Sequence, residues 1–103
     1  MPLAKPWSSF TRSKIKDVPN NIGIYEIARE GGGSKTILYI GEGKLRNRLI
    51  VHLPGRKEPI PGSLFRVKET QSKRRSKQLE RKHLRRFKNK NEGIPRYNTQ
   101  DIT

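Results

Sequence analysis

Gly23-Ile24-Tyr25 and Tyr39-Ile40-Gly41 decide how this sequence folds. Between them lies Glu30-Gly31-Gly32-Gly33-Ser34-Lys35, a run too flexible and polar to be anything but a turn or loop between two strands. Two short apolar strands, Ile22 to Ala28 and Thr36 to Gly41, therefore face each other, each with a Tyr near the same end. Alternation puts Ile22 and Ile24 on one face of the first strand and Gly23, Tyr25 and Ile27 on the other. In the second strand Ile37, Tyr39 and Gly41 share a face opposite Leu38 and Ile40. Glycine at positions 23 and 41 removes side chains beside the tyrosines, so the phenols are expected to be reachable from outside. Taken alone, either strand needs no special reading, because Tyr suits strands and Gly marks bulges.

Working outward, Gly41-Glu42-Gly43-Lys44 reads as a Gly- and Lys-bearing loop whose amides could approach a phosphate. It lacks the length and the Lys-Ser/Thr ending of a Walker loop, which argues against nucleotide hydrolysis and a nucleotide cofactor. A helix follows, with Leu45, Leu49 and Leu53 at four-residue steps and Arg48 and His52 at the same step beside them. Pro54 and Gly55 end it, residues 55–62 form a Pro-punctuated loop, and Ser63 to Lys68 makes a third strand with Phe65 and Val67 on one face. Upstream, a short helix from about Ser8 to Lys16 is expected to lay Trp7 and Phe10 on the domain, with the Trp packing or sealing an edge.

Thr70 to Asn91 carries the second signal. At about 100° per residue from Leu79, His83, Phe87 and Leu84 fall at about 40°, 80° and 140°, and Glu80 at about 100° lies inside that apolar stripe. The opposite half of the wheel is basic: Arg74, Lys77, Arg81, Lys82, Arg85, Arg86 and Lys88. Ten Lys and Arg accompany that single acid between Lys73 and Lys90, a density that points to a polyanion opposite the helix. An inward carboxylate needs a partner, because burying it alone is costly. Either a cation such as Arg48 or a bound metal satisfies Glu80. His83, on the same stripe, reads as a packed core histidine.

The whole chain has 103 residues, enough for one small domain, and only 30% hydrophobic residues, so its core must be modest. Twenty-four Lys and Arg against nine Asp and Glu give +15, an excess that favours nucleic acid as partner. The absence of Cys excludes a disulfide framework, a thiolate zinc site and a cysteine nucleophile. No apolar run reaches the roughly 20 residues of a membrane span, and Met1 to Trp7 lacks a signal peptide's apolar segment. The reading is a single domain over 1–103, with 1–20 an N-terminal extension packing on it and 94–103 a tail of turn and extended chain. A soluble protein, cytoplasmic or nucleoid-associated, without a membrane partner, is expected.

Gly-Ile-Tyr, a loop, Tyr-Ile-Gly and then Arg48 and His52 one helical turn apart resemble the GIY-YIG endonuclease family. Glu80 in a helix and Asn98 after Ile94-Pro95-Arg96-Tyr97 fall where that family places a metal-binding Glu and a structural Asn. The likeness spans residues from about 20 to 98. It implies a small α/β (α+β) domain, a three-stranded antiparallel sheet flanked by helices, with the site on the sheet beside the first long helix.

Hydrolysing a phosphodiester needs a nucleophile, charge relief for the phosphorane and help for the leaving oxygen. The resemblance implies catalytic roles for Tyr25, Tyr39, Arg48, His52 and Glu80. Tyr25, acidified by nearby cations and assisted by His52, would deprotonate water, Tyr39 would hydrogen-bond at the site, and Arg48 would stabilise the transition-state charge. Glu80 would hold one Mg²⁺ or Mn²⁺ ion, since one carboxylate with several waters is an acceptable magnesium site. Gly23, Gly41 and Asn98 would give structural support. Lys44, Arg46, Arg74, Lys77, Arg81, Lys82, Arg85 and Lys88 are the expected nucleic-acid contacts, with DNA ahead of RNA. Two other readings stay open: a nucleic-acid-binding module that keeps the nuclease fold without activity, and a ribosomal-type RNA binder.

Overall fold

The computed structural model describes residues 7–31, 34–70, 72–91 and 98. In chain order they form β1 (Ser8–Ser9), α1 (Arg12–Ile15), β2 (Ile22–Gly31), β3 (Ser34–Lys44), α2 (Leu45–Val51), β4 (Leu64–Glu69) and α3 (Lys73–Asn91). The strands make one antiparallel sheet in the order β1-β4-β2-β3, which places β3 on an edge. The sheet has four strands, where three were expected. Ser8 and Ser9 pair with Phe65 and Leu64, so the segment assigned to the start of a helix is a short strand, and α1 begins only at Arg12. Thr11 supplies the reason, accepting a hydrogen bond from the Lys14 amide at 3.3 Å as the helix cap. The apex of the Gly-rich turn and the tail, apart from Asn98, lie outside the described residues. No helix among the described residues is long and apolar enough to cross a membrane.

The hairpin is longer than expected at both ends. β2 runs to Gly31 and β3 runs from Ser34 through Lys44, so Ile24 pairs with Glu42 and Tyr25 with Gly41. The stretch Gly41 to Lys44 is strand and not a phosphate-cradling loop, and the short helix behind it adds no anion site. At Gly43 the backbone takes a φ of 135°, open to glycine, as the strand turns into α2. Lys44 offers the helix no side-chain cap. Asn20 acts instead, its Oδ1 accepting the Asn47 amide at 3.1 Å, while the Asn21 carbonyl accepts the Leu45 amide at 3.0 Å. This clamp fixes the start of α2 and with it the height of Arg48 one turn later.

Alternation along the strands sorts the side chains into two layers. On one side Tyr25, Ile27 and Phe65 meet Leu45, Leu49 and Leu53 of α2 and its exit, together with Ile15, Val18 and Phe10. Leu38 joins this cluster, which strict alternation with Ile40 would forbid. The ladder slips between Ile27 and Ala28, which pair with Tyr39 and Ile37, leaving Leu38 as the extra residue of a bulge. On the other side α3 packs on β2 and β3, with Leu79 against Ile24. The expected stripe of α3 is borne out: Leu79, His83 and Leu84 are buried, as is Ser76, while Arg74, Lys77, Arg81, Lys82, Arg85 and Arg86 are exposed. The helix starts at Lys73 and not at Thr70, because Ser72 Oγ accepts the Arg75 amide at 3.1 Å.

Beneath α3 sits a buried charge. Glu26, 1% exposed, accepts a 2.7 Å hydrogen bond from Arg66 Nε on β4, and its other oxygen lies 3.5 Å from His83 Nδ1. The Arg66 guanidinium in turn stacks on Trp7 with its carbon 3.9 Å from the ring centre. Trp7 therefore seals an edge by covering a cation, as a structural reading of the single Trp anticipates.

Candidate active site

Tyr25, Tyr39, Arg48 and His52 converge where β2 and β3 meet α2. Register places Tyr25 opposite Gly41, and a Cβ at 41 would overlap the Tyr25 hydroxyl and come within 2.7 Å of the Tyr39 ring. Gly41 is thus the space into which the phenol fits. The two tyrosine rings stack at 5.9 Å between centres, and His52 lies 5.7 Å from Tyr25 and 4.8 Å from Tyr39.

The hydrogen bonds fix the protonation of the cluster. His52, at the C-terminal cap of α2, donates from Nδ1 to the Glu58 carbonyl at 2.9 Å, so in the neutral ring Nε2 is the acceptor. Tyr25 donates its hydroxyl proton to that nitrogen at 2.9 Å. Burial pushes His52 below the ordinary histidine value, the Glu58 carbonyl opposes this, and the Arg48 charge adds to the lowering. Neutral imidazole is the resting form.

Tyr25 is 0% exposed, which corrects the expectation that both phenols are reachable and that cations acidify this one. Burial raises its pKa far above the usual tyrosine value, Tyr39 reinforces the rise, and the nearby Arg48 charge offsets only part of it. The glycine at 41 draws the ring inward. Tyr39 is the half-exposed phenol of the pair.

Arg48 is the hinge between the two layers. Its stem lies against Gly43, where a Cβ would sit 3.0 Å from Cγ, and its guanidinium reaches 3.7 Å from Glu58. Burial opposes its charge, but Tyr25, Tyr39 and Glu58 together hold its pKa above the ordinary arginine value. The same positive charge acts through space on Glu80, without an ion pair between them among the described residues.

Glu80 is half-buried and makes no ion pair or hydrogen bond among the described residues. Burial and then the charge of Glu42 push its pKa up to about 7, against the pull of Lys77, Arg48 and Arg81. Glu42 is a neighbour the sequence reading did not select. Extending the strand past Gly41 would have found it, since a period of two then puts Glu42 with Ile40 on the α3 side. Its Oε2 is buried without a hydrogen-bond partner among the described residues. No group of three or more His, Cys, Asp or Glu able to hold a metal occurs among the described residues.

A carboxyl whose pKa is higher folded than unfolded stabilises the fold fully below the unfolded value, about 4.3, and loses that contribution as pH rises through about 7. In chelator the melting temperature of the protein is therefore expected to fall between these limits relative to Glu80→Gln, whose amide does not titrate. Parallel pH profiles for the two proteins would contradict this environment for Glu80.

Asn98 reaches the outer edge of β3. Its Oδ1 accepts the Ile40 amide at 3.0 Å and its Nδ2 donates to the Ile40 carbonyl at 2.9 Å, tying it one residue from both Tyr39 and Gly41. Of the expected nucleic-acid contacts, Lys44, Arg74, Lys77, Arg81, Lys82 and Arg85 are exposed, and Arg46 and Lys88 are half-buried. Arg81, Lys82, Arg85 and Arg86 line a shallow groove along α3 with Gln78.

An antiparallel sheet between helices, with paired tyrosines on the inner hairpin, Arg and His on α2 and Glu on α3, is a GIY-YIG-like domain. Its fold matches the GIY-YIG N-terminal endonuclease domain of UvrC from Thermotoga maritima. A point mutant of that domain bound to its catalytic divalent cation is 26% identical, with a TM-score of 0.60 over 86% of this chain and 94% of that one. The magnesium-bound form gives a TM-score of 0.62 at 24% identity over 85% and 94%. No curated protein matches the chain. The chain belongs to the family described as a domain of unknown function, DUF7508, whose model matches residues 1–86.

Proposed function

We propose that this chain is a divalent-cation-dependent endonuclease that hydrolyses phosphodiester bonds, with DNA as its substrate. The observation that carries the reading is that Tyr25, Tyr39 and His52 gather beside Arg48, with the carboxyl of Glu80 near enough to feel the Arg48 charge without an ion pair among the described residues. The likeness to an endonuclease domain that binds a catalytic divalent cation supports it.

The residues fit such an ion. Glu80 offers a hard oxygen donor with no protein cation bonded to it, and the orphaned buried oxygen of Glu42 lies on the same side of the sheet. Glu80 would hold one Mg²⁺ or Mn²⁺. When bound, the ion supplies Lewis-acid stabilisation of phosphate charge.

The protein's own groups divide the remaining work. Tyr39, the half-exposed phenol, would first lose its own proton to solvent and then, as phenolate, meet the attacking water and take up a proton from it at Oη. Tyr25 is a positioning residue, since its proton is committed to His52 Nε2 and its hydroxyl lies in the field of the Arg48 charge. Arg48 would turn its planar fork to the phosphate. The exposed cations of α3 and Lys44 hold the flanking backbone, so DNA affinity is expected to fall steeply with salt in a filter-binding titration. A flat response would remove α3 from the interface.

Supercoiled plasmid nicked by the protein in Mg²⁺, and intact in chelator or with Glu80→Gln, is the expected result. Tyr39→Phe should lower the rate about a hundredfold, the lower end for loss of a general base. Equal nicking by all three proteins, or none by the wild type on any DNA form, would sink the nuclease reading. In the latter case tight DNA binding alone would favour the non-catalytic module.

A further inference from the structure

We infer that Glu42 is a second carboxylate of the cation site, facing Glu80 across the seam between β3 and α3, so that the ion sits between two carboxylates. The inference rests on the nuclease reading and deepens it. Three features of the fold carry it. Glu42 stands opposite Ile24 in the hairpin ladder, and Ile24 packs on Leu79, the residue before Glu80. Ladder and helix therefore bring the two acids together from positions 38 residues apart. Glu42 Oε2 is buried and has no hydrogen-bond partner among the described residues, an expensive state for a carboxylate unless a cation joins it.

The local cations do not neutralise the pair directly. Lys77, Arg48 and Arg81 act on Glu80 through space, yet neither acid forms an ion pair within 4 Å among the described residues, and Arg48 pairs with Glu58 instead. Two carboxyl groups without an ion-paired protein cation among the described residues suit a hard divalent ion. Magnesium or manganese, which keep part of their hydration, need few oxygen donors from the protein.

The protein would be titrated with Mn²⁺, reading free ion by electron paramagnetic resonance, beside Glu42→Gln and Glu80→Gln. The wild type is expected to bind one ion, and Glu42→Gln to weaken affinity about 10- to 100-fold. In chelator Glu42→Gln should melt no lower than wild type, because it removes a like charge, whereas its gain in melting temperature on adding Mn²⁺ should shrink. Wild-type protein also tests the idea without any variant: Mg²⁺ should shift the side-chain carboxyl ¹³C signals of Glu42 and Glu80 with one midpoint. Unchanged affinity in Glu42→Gln, or a Glu42 signal that Mg²⁺ leaves in place while Glu80 moves, overturns the inference and leaves the nuclease reading intact. Failure of the wild type to bind any Mn²⁺ overturns both.

Discussion

Arg48→Ala is expected to slow plasmid nicking about 10³-fold, the loss found when a preorganised group facing transition-state charge is deleted. The stability cost should be small. Arg48 is one-third exposed and its ion pair with Glu58 is 3.7 Å long and half in solvent, a class of contact worth about 1 kcal/mol or less. A large kinetic effect with little change in melting temperature is therefore the signature sought. Arg48→Lys should recover little of the rate, since an ammonium cannot reproduce the planar fork that would meet a phosphate with two hydrogen bonds at once. DNA affinity should hardly move, because the exposed cations of α3 carry it. Nicking by Arg48→Ala within tenfold of wild type would take the guanidinium away from the reacting phosphate.

Arg66→Met should cost about 3 kcal/mol of folding free energy in urea unfolding, the low end for stranding one member of a buried ion pair. The reason lies in what remains behind: Glu26, 1% exposed, would keep only His83 at 3.5 Å. Trp7 would also lose the cation beneath its ring. Replacing both partners, Glu26→Leu with Arg66→Met, should restore most of the loss, since the desolvated charge goes with its partner. A single-variant loss below about 1 kcal/mol would mean that the carboxylate is hydrated or re-paired, and that α3 does not close over it.

The hairpin, the Arg48 and His52 step on α2 and the apolar stripe of α3 were legible because each rests on a short-range period that packing enforces. The fourth strand was not. Ser8-Ser9 has no alternation and pairs only because β4 offers a free edge beside it. Tyr25 was misjudged for a related reason: glycine at 41 was read as opening the site, whereas the missing Cβ lets the phenol bury itself against the strand. Glu26 was readable in hindsight, since period two puts it on the buried face with Ile24, where a charge demands a partner. Its partner Arg66 sits 40 residues away and declares itself only in the folded sheet. A separation nearly as long hid Glu42 from Glu80.

The amide of Asn98 occupies both outward backbone groups of Ile40, and β3 is a terminal strand of the sheet. Exposed rims of this kind invite a foreign chain to zip on and seed fibrils. By satisfying that rim with a side chain, the protein keeps the margin next to Tyr39 and Gly41 closed to self-templating. The geometry beside the tyrosines and colloidal behaviour are thereby guarded by one residue.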